Sequence, residues 1–183
     1  MRDLALTKVT RIRAFHLSYY EYVPQTLADS RTEIQVSASN FSDPEIIHEI
    51  IRSVPDGQEL AFHSTVSLED GGDMHVPLVD MSTGSAAQLE KLRPFLGEAL
   101  FRAFKWYRSG RSFHGYAATL VNAKEWAALM GTLLLANQKG LAPTVDPRWV
   151  GHRLIAGYSS LRWTRNTSHY IELPSAVGAK RGE

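Results

Sequence analysis

Cysteine is absent from the 183 residues. Disulfides, thiolate nucleophiles, cysteine-ligated zinc and iron–sulfur clusters are therefore not expected. No apolar run approaches the roughly 20 residues that a membrane helix needs. Residues 1–12 alternate charge and carry no apolar stretch, so no signal peptide is expected and cytoplasmic residence is the default. Neither G-x-G-x-x-G nor G-x-x-x-x-G-K-[ST] occurs, so nothing marks a Rossmann or P-loop unit. Internal repeats, low-complexity tracts and linkers are also missing.

What is present suits one domain over residues 1–175, with an optional division into lobes at about 1–58 and 59–175. Residues 176–183 are small and polar and are expected to form a flexible tail. Hydrophobic residues make up 44% and charged residues 21%, ordinary values for a soluble domain. The net charge of +1 hides an asymmetry. Residues 1–100 hold 8 Lys/Arg against 15 Asp/Glu, and residues 101–183 hold 12 against 4. A basic half is compatible with an anionic partner, and equally with two halves that attract each other.

Strands and helices alternate. Residues 8–20 and 31–38 alternate polar and apolar side chains, which predicts strands. Ser42-Asp43-Pro44-Glu45 reads as a helix start, with Ile46, Ile47, Ile50 and Ile51 as its apolar stripe and Pro55-Asp56-Gly57 as its end. Residues 58–68 and 74–81 read as strands around the Gly-Gly turn of 69–73. Residues 85–104 have helical spacing with a kink expected at Pro94. Asn122 with Glu125 caps a helix that runs to about Gln138 and stops at Gly140. Asp146-Pro147 starts a short helical turn, residues 159–164 read as a strand, and residues 170–173 as a candidate further one. The pattern is mixed α/β with an antiparallel component.

Three segments place polar groups in apolar settings. In the first, Val79-Asp80-Met81-Ser82 ends an apolar strand on a carboxylate. Such a group needs a cation, an arginine or a helix to cap. The second is Arg108-Ser109-Gly110-Arg111-Ser112-Phe113-His114-Gly115-Tyr116. It reads as a tight hairpin whose second strand turns Ser112, His114 and Tyr116 to one face. Two arginines flank its turn, so it suits a polyphosphate, or simply a polar sheet surface. In the third, Asp146 precedes Pro147 as a helix cap, and Arg153 and Arg162 follow in apolar surroundings, where arginines pair with a carboxylate or a phosphate. Trp106, Tyr107, Tyr116, Trp149, Tyr158 and Trp163 gather in the basic half as candidate base-stacking groups or as core. The other histidines show no ligand spacing, and Glu69, Asp70 and Asp73 read as solvated charges.

Taken in order, these segments resemble the archaeo-eukaryotic primase (primase-polymerase) superfamily, most of all small stand-alone bacterial primase-like proteins. Val79-Asp80-Met81-Ser82 matches the first aspartate of the family's Asp-x-Asp strand. Ser109-Gly110-Arg111-Ser112-Phe113-His114 matches its Ser-x-His motif. Asp146 matches its third acidic position, and Arg153-Leu154-Ile155 with Ser160-Leu161 resembles the basic stretch that follows. The resemblance spans roughly residues 60–165. It implies an α+β core built on an RRM-like antiparallel sheet with an additional α/β unit. It further implies Asp80 and Asp146 as ligands of magnesium or manganese, and Asp80, His114 and Asp146 as the catalytic set. Arg111, Ser112, His114, Arg153 and Arg162 become the groups that hold a nucleoside triphosphate. The implied partners are nucleoside triphosphates, single-stranded or template-primer nucleic acid, and a protein partner in a larger system.

The chain departs from the pattern at Ser82, which stands in place of the second acid, and at Arg162, where many members have histidine. Serine is a weak ligand for a hard cation. Three functions are therefore carried forward. The first is a metal-dependent nucleotidyltransferase. The second is a non-catalytic nucleic-acid-binding subunit. The third is a phosphodiesterase using Asp80, His114 and Asp146 around one cation.

Overall fold

The computed structural model describes residues 11–177, which form two antiparallel sheets with helices packed mainly on the second. The expected strand at 8–20 begins, within the described residues, as β1 (Ile12–Tyr20). It is central to the first sheet, pairing with β2 (Arg31–Ser37) on one edge and β3 (Glu59–Leu68) on the other. The far edge of β3 is shared by two short strands. β4 (Asp73–His75) takes one end and β8 (Ser160–Arg162) the other. Residues 178–183 of the expected tail lie outside the described residues.

Between β2 and β3 lie two helices. α1 (Ala38–Ser42) is capped by Ser37, and the sequence pattern did not reveal it. α2 (Pro44–Arg52) starts on Asp43, whose side chain accepts from Glu45 N at 2.9 Å; Ser42 instead closes α1. Ile47 and Ile50 face the core beneath the first sheet, where Phe15, Leu17, Leu60, Phe62 and Trp163 are buried.

The expected strand over 74–81 is two strands in two sheets. β4 stays with β3, and β5 (Leu78–Asp80) pairs with β7 (Ser112–Ala117) in the second sheet. The change falls at Val76-Pro77. Val76 N still donates to Ser64 O in the first sheet, while Pro77 O already accepts from Ala117 N in the second. Proline has no N–H to satisfy, so it suits the point where the ladder is interrupted. β3, which follows residue 58, pairs along β1, which precedes it.

The second sheet runs β5–β7–β6–β9, with β6 (Phe104–Ser109) and β9 (Ser175–Ala176). The strand expected at 170–173 is irregular chain, and the pairing comes two residues later. A 3₁₀ stretch (Ala86–Leu92) leads into α3 (Arg93–Ala103). Pro94 sits harmlessly in the first turn, and the helical path breaks instead at Gly97, where φ is +73°. α4 (Ala123–Leu135) carries the Asn122/Glu125 capping box. α5 (Pro147–Ala156) is a full helix rather than a single turn. Phe113, Trp126, Met130, Leu133 and Val150 fill a second core, and Trp149 packs against both cores.

Candidate functional site

A cleft of about 500 Å³ opens where the two sheets meet, lined by every residue named above for catalysis, metal or nucleotide: Asp80, Arg111, Ser112, His114, Asp146, Arg153 and Arg162. Their convergence has local causes. The hairpin of β6 and β7 turns on Gly110-Arg111, with Gly110 at φ +67° as the first central residue of a two-residue turn requires. Its register places His114 directly opposite Asp80. Phe113 points away into the second core, and Gly115 accommodates Trp106, whose ring would lie 2.6 Å from any added Cβ. Alternation along β7 therefore sends Ser112 and His114 to the cleft.

Asp146 reaches the same wall because the segment before α5 runs beside β5. Met81 and Val145 bridge, and Asp146 N donates to Asp80 O at 3.0 Å. The Asp146 carboxylate caps α5, with Oδ1 accepting from Arg148 N and Trp149 N, and Oδ2 is left outside the cap. Cap and cleft residue are here the same group. Among the described residues Asp80 neither caps a helix nor forms an ion pair with an arginine. Its nearest charged-type neighbour is His114, with Nε2 at 3.8 Å from Oδ1. Burial, and secondarily the Asp146 charge, push the Asp80 carboxyl up to about 8. His114 goes the other way, down to about 3, through burial and then the Arg162 charge. The imidazole is therefore neutral at pH 7, and its buried Nδ1 has no hydrogen-bond partner. Among the described residues no three His, Asp or Glu side chains form a ready ligand cluster.

The two buried arginines differ. Arg162 is 5% exposed, lies over the Tyr170 ring and donates to oxygens without formal charge: Thr164 O, Ser109 Oγ and Glu172 O. Its Nε lacks a partner. Arg153 pairs with the Asp29 carboxylate and with Ser160 Oγ, so its expected phosphate role is already filled by a carboxylate. Arg111 is exposed at the turn, and Ser112 is half-buried beside it.

The candidate stacking aromatics are mostly structural. Tyr107, Tyr116 and Trp163 are core, Tyr158 stacks on His63, and Trp149 Nε1 is tied to Ser160 O. The cleft aromatics are Trp149, of those expected, with Tyr20, Tyr22 and Tyr170, and His152 and His169 are also on its wall. Sequence reasoning missed these tyrosines and histidines, and it missed Asp29 and Arg31.

Two carboxyl groups on adjoining segments at a sheet junction, with a Ser-x-His hairpin and an arginine that has no carboxylate partner among the described residues, describe a primase-like protein. Comparison with protein families agrees. The chain belongs to the archaeo-eukaryotic primase 1D-like (AEP-like) family, whose match covers residues 37–175, about three-quarters of its length. No curated protein and no solved structure gives a significant match.

Proposed function

We propose that the cleft binds a nucleoside triphosphate with one divalent cation, magnesium or manganese, next to single-stranded or template-primer nucleic acid. The observation that carries this is the Asp80–Asp146 pair. Two carboxyl groups held at one wall, one of them pushed up by burial and by the other, form a site that a cation would relieve. Two carboxylates suit magnesium or manganese, which complete their shell with water and phosphate oxygens. When bound, such an ion neutralises phosphate charge and activates an attacking hydroxyl.

The chain's own groups do the rest. Arg162 supplies a buried positive charge for the triphosphate. Ser112 can donate its hydroxyl, and neutral His114 can donate one ring N–H without adding charge. Arg111 adds an exposed guanidinium at the turn. Nucleotidyl transfer is the reaction this set fits, by attack of a hydroxyl on the α-phosphorus with departure of pyrophosphate. Ser82 favours a second reading, a nucleic-acid-binding subunit without catalysis, because it is exposed and does not line the cleft.

Fluorescent ATP titrated in the presence of manganese tests the binding. The expected result is saturable binding that Asp80→Asn weakens at least about tenfold, the scale of losing a charged ligand. Absence of manganese-dependent binding in the wild type overturns the proposal. Manganese-dependent primer extension, lost in Asp80→Asn, separates the catalytic reading from the binding one.

A further inference from the structure

We propose that Arg31 and Arg153 form a second anion site in the cleft, built for a phosphate of the nucleic-acid strand and filled in this structure by the chain's own Asp29. This rests on the reading that the cleft binds nucleic acid. Asp29 lies in the connection between β1 and β2, N-terminal to the family match. Its Oδ1 accepts from Arg31 Nε at 2.9 Å and its Oδ2 from Arg153 Nη2. All three residues line the cleft.

The arginines do not depend on Asp29 for their placement. Arg31 Nη1 donates to Ser18 Oγ on β1 at 3.0 Å, and Arg153 Nη1 donates to Ser160 Oγ on β8 at 2.9 Å. Arg31 also lies over the Tyr20 ring, 4.3 Å from its centroid. Each guanidinium is thus anchored to a strand by one nitrogen and offers others to a shared anion. The side chains are only 9% and 4% exposed, against 24% for Asp29. Burying two cations with a single carboxylate leaves one positive charge over; a terminal phosphate, with three free oxygens and close to two charges, matches the pair better, while an internal phosphodiester equals the carboxylate in charge and spreads its oxygens tetrahedrally toward both guanidiniums.

The carboxylate is also the part that can leave. Its connection carries Gln25 at φ +61° and an 80% exposed Leu27. Beyond the Asp29 contacts, the connection is held by a long hydrogen bond from Arg148 Nη2 to Thr26 O, 3.4 Å, and at its start by Tyr22, whose ring lies 5.4 Å from His169 and 5.9 Å from Tyr170. A phosphate entering between the guanidiniums would displace Asp29 and swing residues 24–30 from the cleft, with Tyr22 staying on the His169 and Tyr170 rings.

Anisotropy of a labelled thymidine dodecamer tests this, with Asp29→Asn against wild type. Removing the internal competitor should tighten oligonucleotide binding about fivefold or more. It should also steepen the dependence of log affinity on log salt, by up to about 0.7 for one added single-strand phosphate contact. Unchanged or weaker binding by a folded Asp29→Asn protein overturns the site and leaves Asp29 as a strap. Should that variant not fold, Arg31→Gln serves. The expected result is then about a fivefold loss with a shallower salt slope, and unchanged binding overturns the site. A 5′-phosphorylated and a 5′-hydroxyl dodecamer distinguish a terminal phosphate, where only the first responds, from an internal phosphodiester, where both do. Fluorescent ATP with manganese is measured in parallel. Retained nucleotide binding with no Asp29 effect overturns this site alone, whereas loss of both ligands in the wild type removes the cleft reading beneath it.

Discussion

Asp80 works against folding as long as no cation joins it to Asp146. Burial and mutual repulsion disfavour the ionised Asp80 carboxyl, so Asp80→Asn should raise the Tm of the metal-free protein. The gain should be about 1 kcal/mol, the usual range for relieving a site kept for function. Manganese should raise the Tm of wild type and leave the variant unmoved. A variant less stable than wild type without metal would remove the repulsion argument. His63 gives a second prediction. Burial, followed by the Arg31 charge, lowers its pKa to about 3, and its ring is bonded to Ser18 Oγ at 2.7 Å. Its folded pKa lies below the unfolded value, so the unfolded state binds the extra proton between about pH 3 and 6.5. Stability is retained above 6.5 and falls as pH drops, by about 1.4 kcal/mol per unit for this one group. Urea midpoints at neutral and mildly acidic pH measure the slope, and His63→Gln should flatten it. An equal slope in the variant would show that the acid sensitivity lies elsewhere. At this scale the sequence was uneven. Asp80, Ser112, His114 and Asp146 were legible because each sits in a short local pattern. Asp29 and Arg31 were not, because the Asp29–Arg153 pair joins residues 124 apart and no local pattern encodes it.

Among the elements, the hairpin of β6 and β7 carries most of the site. Its two-residue turn fixes the register, and the register fixes which side chains face Asp80. Gly115 is its tightest point. An added Cβ would meet the Trp106 ring at 2.6–2.9 Å. Gly115→Ala should therefore displace Trp106 and cost about 1–3 kcal/mol, the range for overpacking. Thermal unfolding checks the cost, and nucleotide affinity should fall with it because His114 is the adjacent residue. Full stability in the variant would mean that Trp106 moves freely. Turn chemistry and strand alternation made this hairpin readable in advance. The break at Pro77 was less visible. An apolar run of strand length looks the same whether it stays in one sheet or changes sheets, and only the missing N–H of proline marks the place. Gly97 breaks α3 for a similar reason, since an isolated glycine within helical spacing does not announce a positive φ.

In the whole molecule the two sheets are coupled by the chain that builds the site. Residues 73–80 leave the first sheet as β4 and enter the second as β5, and Asp80 is the last residue of that passage. β8 belongs to the first sheet and delivers Arg162, whose guanidinium reaches Ser109 at the end of β6 in the second, 3.0 Å away. Trp149 on α5 packs against both cores. Units joined this way cannot separate without opening the cleft and stripping Arg162 of its partners. Unfolding should therefore be one cooperative transition. Trp163 lies in the first core and Trp126 in the second, so each reports on one side. Single-tryptophan variants, with Trp106, Trp149 and one of these two changed to phenylalanine, should give urea midpoints that coincide with far-ultraviolet circular dichroism of the same variant. A fluorescence midpoint that departs from its own dichroism midpoint would mean that the sheets unfold separately. The cleft would then be a mobile joint between two bodies, and ligand affinity would depend on how often the joint is closed.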